Sequence, residues 1–222
     1  SPNQKIKVEL FSGDNSQTGE WFLKVFYNSD SGKCEILPKI TLGLSRSDQD
    51  FYKELTFVKS VKPITINEQY TMPYGKKSNR SNEANEVVVS FENPSKSKLN
   101  VILRAYNDGL TFRYEFPEKQ GSFIVKDEFT SYQVPKETMR WMEKWNPANE
   151  GLYAVTNNDK IVQQEYCYPA LFNSPDKYCW FLLHEADLNA TYCGTKLSNA
   201  ADIDQYKLTF PNPKDGRGMG ES

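Results

Sequence analysis

Polar and apolar side chains alternate along much of this chain with a period of two, the signature of strands that bury one face. Lys5-Ile6-Lys7-Val8-Glu9-Leu10 alternates cleanly, and Trp21 to Tyr27 does so less strictly. Glu86-Val87-Val88-Val89-Ser90-Phe91 is a β-branched run, a composition that suits a pleated surface. Leu99 to Tyr106 follows, then Asn107-Asp108-Gly109, then Leu110 to Phe116. Asp-Gly between two alternating runs predicts a hairpin, because both residues tolerate positive φ. In its returning strand Leu110, Phe112, Tyr114 and Phe116 share one face, and Thr111, Arg113 and Glu115 share the other.

Further strands are predicted at Ser122 to Val125, Ser131 to Val134, Tyr178 to Leu183 and Asp204 to Phe210. Turns are expected at Asn28 to Gly32 and at Asn93 to Ser97, and a longer polar loop from Tyr74 to Asn85. No segment carries a sustained helical stripe. The best helix candidate is Lys136 to Lys144, short and following Pro135. Many short strands with regular turn signals predict an all-β sandwich or barrel of antiparallel sheets with few short helices, in a single domain over residues 1–222.

Composition narrows the function classes. Hydrophobic residues are 38% of the chain, but aromatics reach 14%, enough large side chains for a core. Net charge is -2 with both signs interspersed, so no basic stripe points to nucleic acid. No apolar run approaches the roughly 20 residues that span a bilayer. Cys34, Cys167, Cys179 and Cys193 contain no Cys-x-x-Cys pair and stand beside a single histidine, His184, which argues against zinc. Three pairings are possible, and the spacing selects none; four partly buried free thiols are expected.

The segment Arg104-Ala105-Tyr106-Asn107-Asp108-Gly109-Leu110-Thr111-Phe112-Arg113-Tyr114 resembles the N-terminal domain of glycoside hydrolase family 97. Ile40 to Leu44, Tyr74-Gly75-Lys76 with Asn85 to Val89, Asp127 to Thr130, and Leu183 to Leu188 resemble further segments of that domain, in order. The resemblance covers roughly Lys5 to Lys214. It implies a β-supersandwich of mutarotase-like shape, followed in the same polypeptide by a catalytic (β/α)-barrel that this chain lacks. It also implies an α-glucosidase or α-galactosidase acting on an α-linked oligosaccharide, a periplasmic or secreted bacterial location, and an active-site calcium partly ligated by a glutamate of this domain. Glycosidases use two carboxylates flanking the scissile bond. The family takes both from the barrel, so the chain alone is expected to be inactive, with no catalytic residue of its own.

Glu150, in Asn149-Glu150-Gly151-Leu152-Tyr153, is the first choice for the calcium ligand, aligning with a Tyr-Glu segment of the family. Calcium takes six to eight hard oxygen ligands, so one domain can complete a site that another builds. Glu165, beside Tyr166, Tyr168 and Pro169, is the rival, with an edge-strand role as its alternative. Glu185 and His184 are read as structural, Glu185 with a partner such as an arginine. Trp141 and Trp145 suit a core or interdomain contact better than stacking on sugar. Arg104 and Arg113 are expected to pair across strands, for example with Glu115. A free-standing carbohydrate-binding module is the competing reading. It predicts tryptophan or tyrosine faces aligned in a groove, whereas the N-terminal-domain reading predicts a bare apolar patch. A mutarotase-like enzyme is disfavoured, since only one histidine is available as acid or base.

Overall fold

The computed structural model describes residues 1–13, 16–30, 32–118, 121–156, 162–189, 191–202 and 204–212. Among these, twenty strands numbered in chain order form four antiparallel sheets. The largest runs in the order β1 (Ile6–Ser12), β3 (Trp21–Ser29), β4 (Gly32–Thr41), β13 (Ser131–Gln133), β20 (Gln205–Thr209), β19 (Lys196–Asp202), β16 (Glu165–Tyr166). A second is ordered β11 (Leu110–Glu115), β10 (Lys98–Tyr106), β9 (Asn79–Glu92), β7 (Leu55–Ser60), β2 (Thr18–Gly19), with β8 (Ile64–Thr71) also on β9. A three-stranded sheet joins β12 (Val125–Glu128), β5 (Leu44–Arg46) and β6 (Asp50–Phe51). A four-stranded sheet runs β15 (Ala154–Thr156), β14 (Met139–Met142), β17 (Ala170–Asn173), β18 (Trp180–Leu183).

The period-two pattern explains the layering. Leu23 and Val25 of β3 and Ile40 of β4 meet Val89, Phe91, Leu99, Val101 and Leu103 of the second sheet in one buried cluster. Trp21 bridges the two sheets: its ring lies 5.1 Å from that of Phe91, and its Nε1–H donates to the Leu55 carbonyl at 2.8 Å. A buried indole needs such an acceptor. The predicted hairpin is present as β10 and β11, closed by the Tyr106 N–H donating to the Gly109 carbonyl at 2.8 Å. Leu110, Phe112, Tyr114 and Phe116 pack against the core, while Thr111 and Arg113 face water.

The strand expected over Ser122 to Val125 begins only at Val125, as β12, where the chain pairs with β5, and two further expectations fail for physical reasons. Lys136 to Lys144 is a turn followed by β14, and no helix occurs among the described residues. Arg140 and Met142 are buried while Met139 and Trp141 are half-buried, an alternation that only a strand satisfies, and Glu137 at φ 63° breaks any helical path. The loop expected up to Asn85 ends sooner, because Asn79 to Asn85 begin β9 and pair residue by residue with β8. Of residues 79–85 only Ala84 is buried and the rest are polar, so their composition looks like a loop.

The inner face of the four-stranded sheet packs on β20. Phe172 stacks on Phe181 at 5.0 Å and meets the edge of Tyr206 at 5.8 Å. Arg140, fully buried, donates from Nη2 to Asp204 Oδ1 at 2.6 Å and from Nη1 to the Thr138 carbonyl at 3.0 Å. With one face committed to the core, the opposite face of this sheet becomes the question.

Candidate functional site: an apolar sheet face with a carboxylate at its rim

Strand register places Val155, Trp141, Leu171 and Leu182 in one row across β15, β14, β17 and β18. Trp180, two residues from Leu182 along β18, points the same way, and its ring lies 4.9 Å from that of Trp141. These are the side chains that alternate with the buried Arg140, Phe172 and Leu183. Val155 is 54% exposed, Trp180 58% and Leu182 53%, with Trp141 and Leu171 half-buried between them. Scattered exposed apolar residues are ordinary, but a contiguous row on one sheet face marks an interaction surface.

The segment entering β15 carries Glu150. It is folded around a buried carboxylate, that of Glu143, whose Oε1 accepts from Asn146 Nδ2 at 2.6 Å and from the Gly151 N–H at 2.5 Å. Asn149 holds φ 52°, a left-handed conformation that asparagine tolerates. Gly151 is required by closeness, since a Cβ there would sit 2.7 Å from Glu143 Oε1. The residues on both sides of Glu150 are thereby anchored, while its own side chain is exposed and takes part in no hydrogen bond or ion pair among the described residues. Leu152, 92% exposed, follows it toward the apolar row.

Glu165 is placed differently. Its Oε2 lies 2.7 Å from Lys196 Nζ, which in turn sits 4.7 Å from the Trp145 ring centroid, and its carbonyl accepts the Trp145 N–H at 2.9 Å. The rival carboxylate is thus already neutralised by a buried lysine. Glu185 has the structural role expected, with a different partner. It accepts the Thr195 N–H at 3.1 Å and the Thr195 hydroxyl at 2.6 Å rather than pairing with an arginine. His184 is exposed, its ring centroid 6.3 Å from that of Tyr168. Arg104 pairs across the ladder as expected, but with Glu86 at 2.5 Å, while Glu115 accepts from Asn100 Nδ2 at 3.0 Å. All four cysteines are thiols.

Sequence reasoning missed a buried carboxylate. Glu128 accepts from the hydroxyls of Thr130 at 2.7 Å and Tyr192 at 2.5 Å. Burial pushes its carboxyl above the ordinary range, and the neighbouring Glu185 charge adds to the rise. The surrounding phenols of Tyr114, Tyr132 and Tyr192 are raised by burial as well, so this cluster stays uncharged on the tyrosine side at neutral pH. Sequence reasoning assigned Glu128 no buried role, because Tyr192, which donates to it, lies 64 residues along the chain. No group of three or more metal-ligating side chains occurs among the described residues.

Comparison with known proteins bears on what this face meets. A family model described as Glycosyl-hydrolase 97 N-terminal matches residues 1–213. A "Probable retaining alpha-galactosidase" of Streptomyces bingchenggensis (strain BCW-1) is 24% identical over 194 residues, 87% of this chain and 29% of that protein. The crystal structure of a beta-arabinopyranosidase superposes with a TM-score of 0.85 at 26% identity, covering 99% of this chain and 36% of that one. A glycoside hydrolase family 97 enzyme from Pseudoalteromonas sp. strain K8, in complex with acarbose, matches with a TM-score of 0.78 at 21% identity, covering 94% and 31%. The chain therefore spans about a third of the length of these relatives.

Proposed function

Because the chain belongs to the glycosyl-hydrolase 97 N-terminal family, we propose that its exposed apolar face docks on the catalytic barrel of a glycosidase in the same polypeptide. In this reading the β domain supplies no catalytic group. Its Glu150 completes a calcium site whose remaining ligands come from the barrel, beside a pocket for an α-linked oligosaccharide, in a protein of periplasmic or secreted location.

The observation that carries the reading is the adjacency of the two features. The row Val155–Trp141–Leu171–Leu182 ends at β15, and the residues immediately before β15 hold an anchored, unengaged carboxylate. A body seated on the row would meet Glu150 at its edge. The donor chemistry fits calcium, a hard cation that favours carboxylate oxygen. A single ligand falls far short of the six to eight that calcium takes, so the domain alone should hold no ion. Glu165 fits less well, since its carboxylate is already engaged by the buried Lys196. A free-standing sugar-binding module finds less support, because Trp141 and Trp180 tilt against each other at 39° instead of lying open in line.

Calorimetric titration of calcium into this chain, and into a polypeptide extended through the barrel, tests the reading. Binding is expected only in the extended form, weakened about tenfold or more by Glu150→Ala and unaffected by Glu165→Ala. Binding that survives Glu150→Ala would remove this residue from the site; calcium without effect on either form would remove the metal.

A further inference from the structure

We propose that the outer face of the seven-stranded sheet carries a binding groove for an acidic saccharide, a sugar whose anionic group is taken by lysine ammoniums. The groove has a volume of about 440 Å³, within the range of about 300–1,000 Å³ usual for small-ligand pockets. Strand geometry builds its floor. Phe22 of β3, Lys39 and Thr41 of β4, Ser131 of β13, and Gln205 and Lys207 of β20 line it. They alternate with the buried Leu23, Ile40, Tyr206 and Leu208, so they lie on the side of the sheet away from the core. Register sets Phe22, Thr41, Ser131 and Lys207 in one row across four strands.

One wall is a pair of stacked rings. Tyr52 and Phe129 directly follow β6 and β12, and their ring centroids lie 3.9 Å apart. Gly43 permits this approach. It holds φ 137°, its carbonyl accepts the Phe129 N–H at 2.8 Å, and a Cβ on it would sit 2.5 Å from Tyr52 Cβ. An ammonium accompanies each ring: Lys53 Nζ lies 5.1 Å from the Tyr52 centroid and Lys207 Nζ 4.9 Å from that of Phe129. Lys39 Nζ lies 5.2 Å from the Phe22 centroid.

The charge of the groove opposes that of the chain, which is -2 overall. Three ammoniums face two carboxylates, Glu20 in the lining and Asp127 at 3.3 Å from Lys207. The Lys207–Asp127 pair is half-exposed on both sides, so water screens it. Lys39 and Lys53 make no ion pair among the described residues, and rest over rings instead. An incoming anion would therefore meet two ammoniums with no carboxylate to displace. The floor supplies neutral polar groups. Gln205 Nε2 donates to the Ser131 hydroxyl at 2.8 Å, and the Thr41 hydroxyl donates to the Phe129 carbonyl at 2.7 Å. The 2.8 Å contact between the two hydroxyls thus has Ser131 as its donor. This relay commits both hydroxyl hydrogens and leaves the Gln205 carbonyl oxygen and second amide hydrogen for a ligand. Apolar walls and an amide beside excess ammonium charge suit a sugar ring bearing an acid group better than a bare inorganic anion, which would use the lysines alone. The saccharide class rests on the glycosidase reading above; the preference for an anion does not.

The test is calorimetric titration of this chain with trigalacturonic acid, a sulfated galactose trisaccharide, neutral galactotriose and inorganic sulfate. At least one acidic trisaccharide should bind with a millimolar or lower Kd, more weakly as salt rises, and about tenfold more tightly than galactotriose. Which one binds separates carboxylate from sulfate recognition. Lys39→Gln and Lys53→Gln should each weaken binding about three- to tenfold with an unchanged circular dichroism spectrum. Lys59→Gln removes the same charge from an exposed site outside the groove and should have no effect. Galactotriose bound as tightly as the acidic sugars would overturn the role of the lysines, and sulfate bound as tightly would overturn the saccharide. Absence of acidic-sugar binding at millimolar concentration, or binding that both groove variants leave intact, would overturn the site. No barrel and no calcium enter the titration, so its failure and that of the docking reading are separate results.

Discussion

If the apolar face is a docking surface, removing Trp180 should weaken the joined protein more than the domain alone. A tryptophan exposes up to roughly 250 Å². At 58% exposure, Trp180 keeps on the order of 140 Å² in water. Covering that area by a partner is worth about 3.5 kcal/mol at ~25 cal/mol per Å². Trp180→Ala sacrifices most of it, so we expect about 2–3 kcal/mol of lost coupling, in the range of an interface anchor. Within the isolated domain the same change loses the roughly 100 Å² already covered, about 2.5 kcal/mol at ~25 cal/mol per Å², the contact with Trp141 included, and the joined protein should lose the docking term in addition. The assay is urea unfolding followed by far-UV circular dichroism, on this chain and on the polypeptide extended through the barrel, each with and without the substitution. The difference between the two losses isolates the interdomain term, as in a double-mutant cycle. Equal losses in both contexts, within about 0.5 kcal/mol, would refute the assignment of this face to docking and leave the tryptophan pair as a surface feature.

Two other consequences concern the domain itself. Asp204→Ala leaves Arg140 buried without its counter-ion, and should destabilise the chain by about 3–5 kcal/mol, whereas replacing both residues with leucine-sized apolar side chains should cost far less; equilibrium urea unfolding of the single and double variants distinguishes these outcomes. Glu128 has a folded-state carboxyl raised above its ordinary value of 4.5, so the folded state binds the extra proton. Its contribution is therefore most favourable below that value and is lost as pH rises through the raised one. Unfolding free energies measured from pH 4 to 8 should fall for the native chain relative to Glu128→Gln, and parallel curves would show that the carboxyl is not raised.

Much of the fold was legible because a strand with one buried face writes its orientation into the sequence. The alternation in β1 and β3, the β-branched run of β9 and the Asp-Gly hairpin all appear where periodicity places them. The family resemblance carried by that hairpin extends over residues 1–213. Legibility failed where neither face or both faces were apolar. Residues 79–85 of β9 bury only Ala84, so they read as a loop. Trp180-Phe181-Leu182-Leu183 is apolar throughout, so the sequence could name a strand but not which of its sides lies in water.

For the candidate site, the sequence put Glu150 first by family resemblance, with Glu165 as its rival. The tertiary structure separates them: Lys196, brought by β19, neutralises Glu165, while Glu143 anchors the backbone around Glu150 and leaves its side chain unengaged. Local pattern follows from the chain's own periodicity, because strand geometry repeats every two residues. Charge pairing and the exposed side of a sheet depend on which distant segments arrive. The antiparallel packing decides that, not the neighbours in sequence.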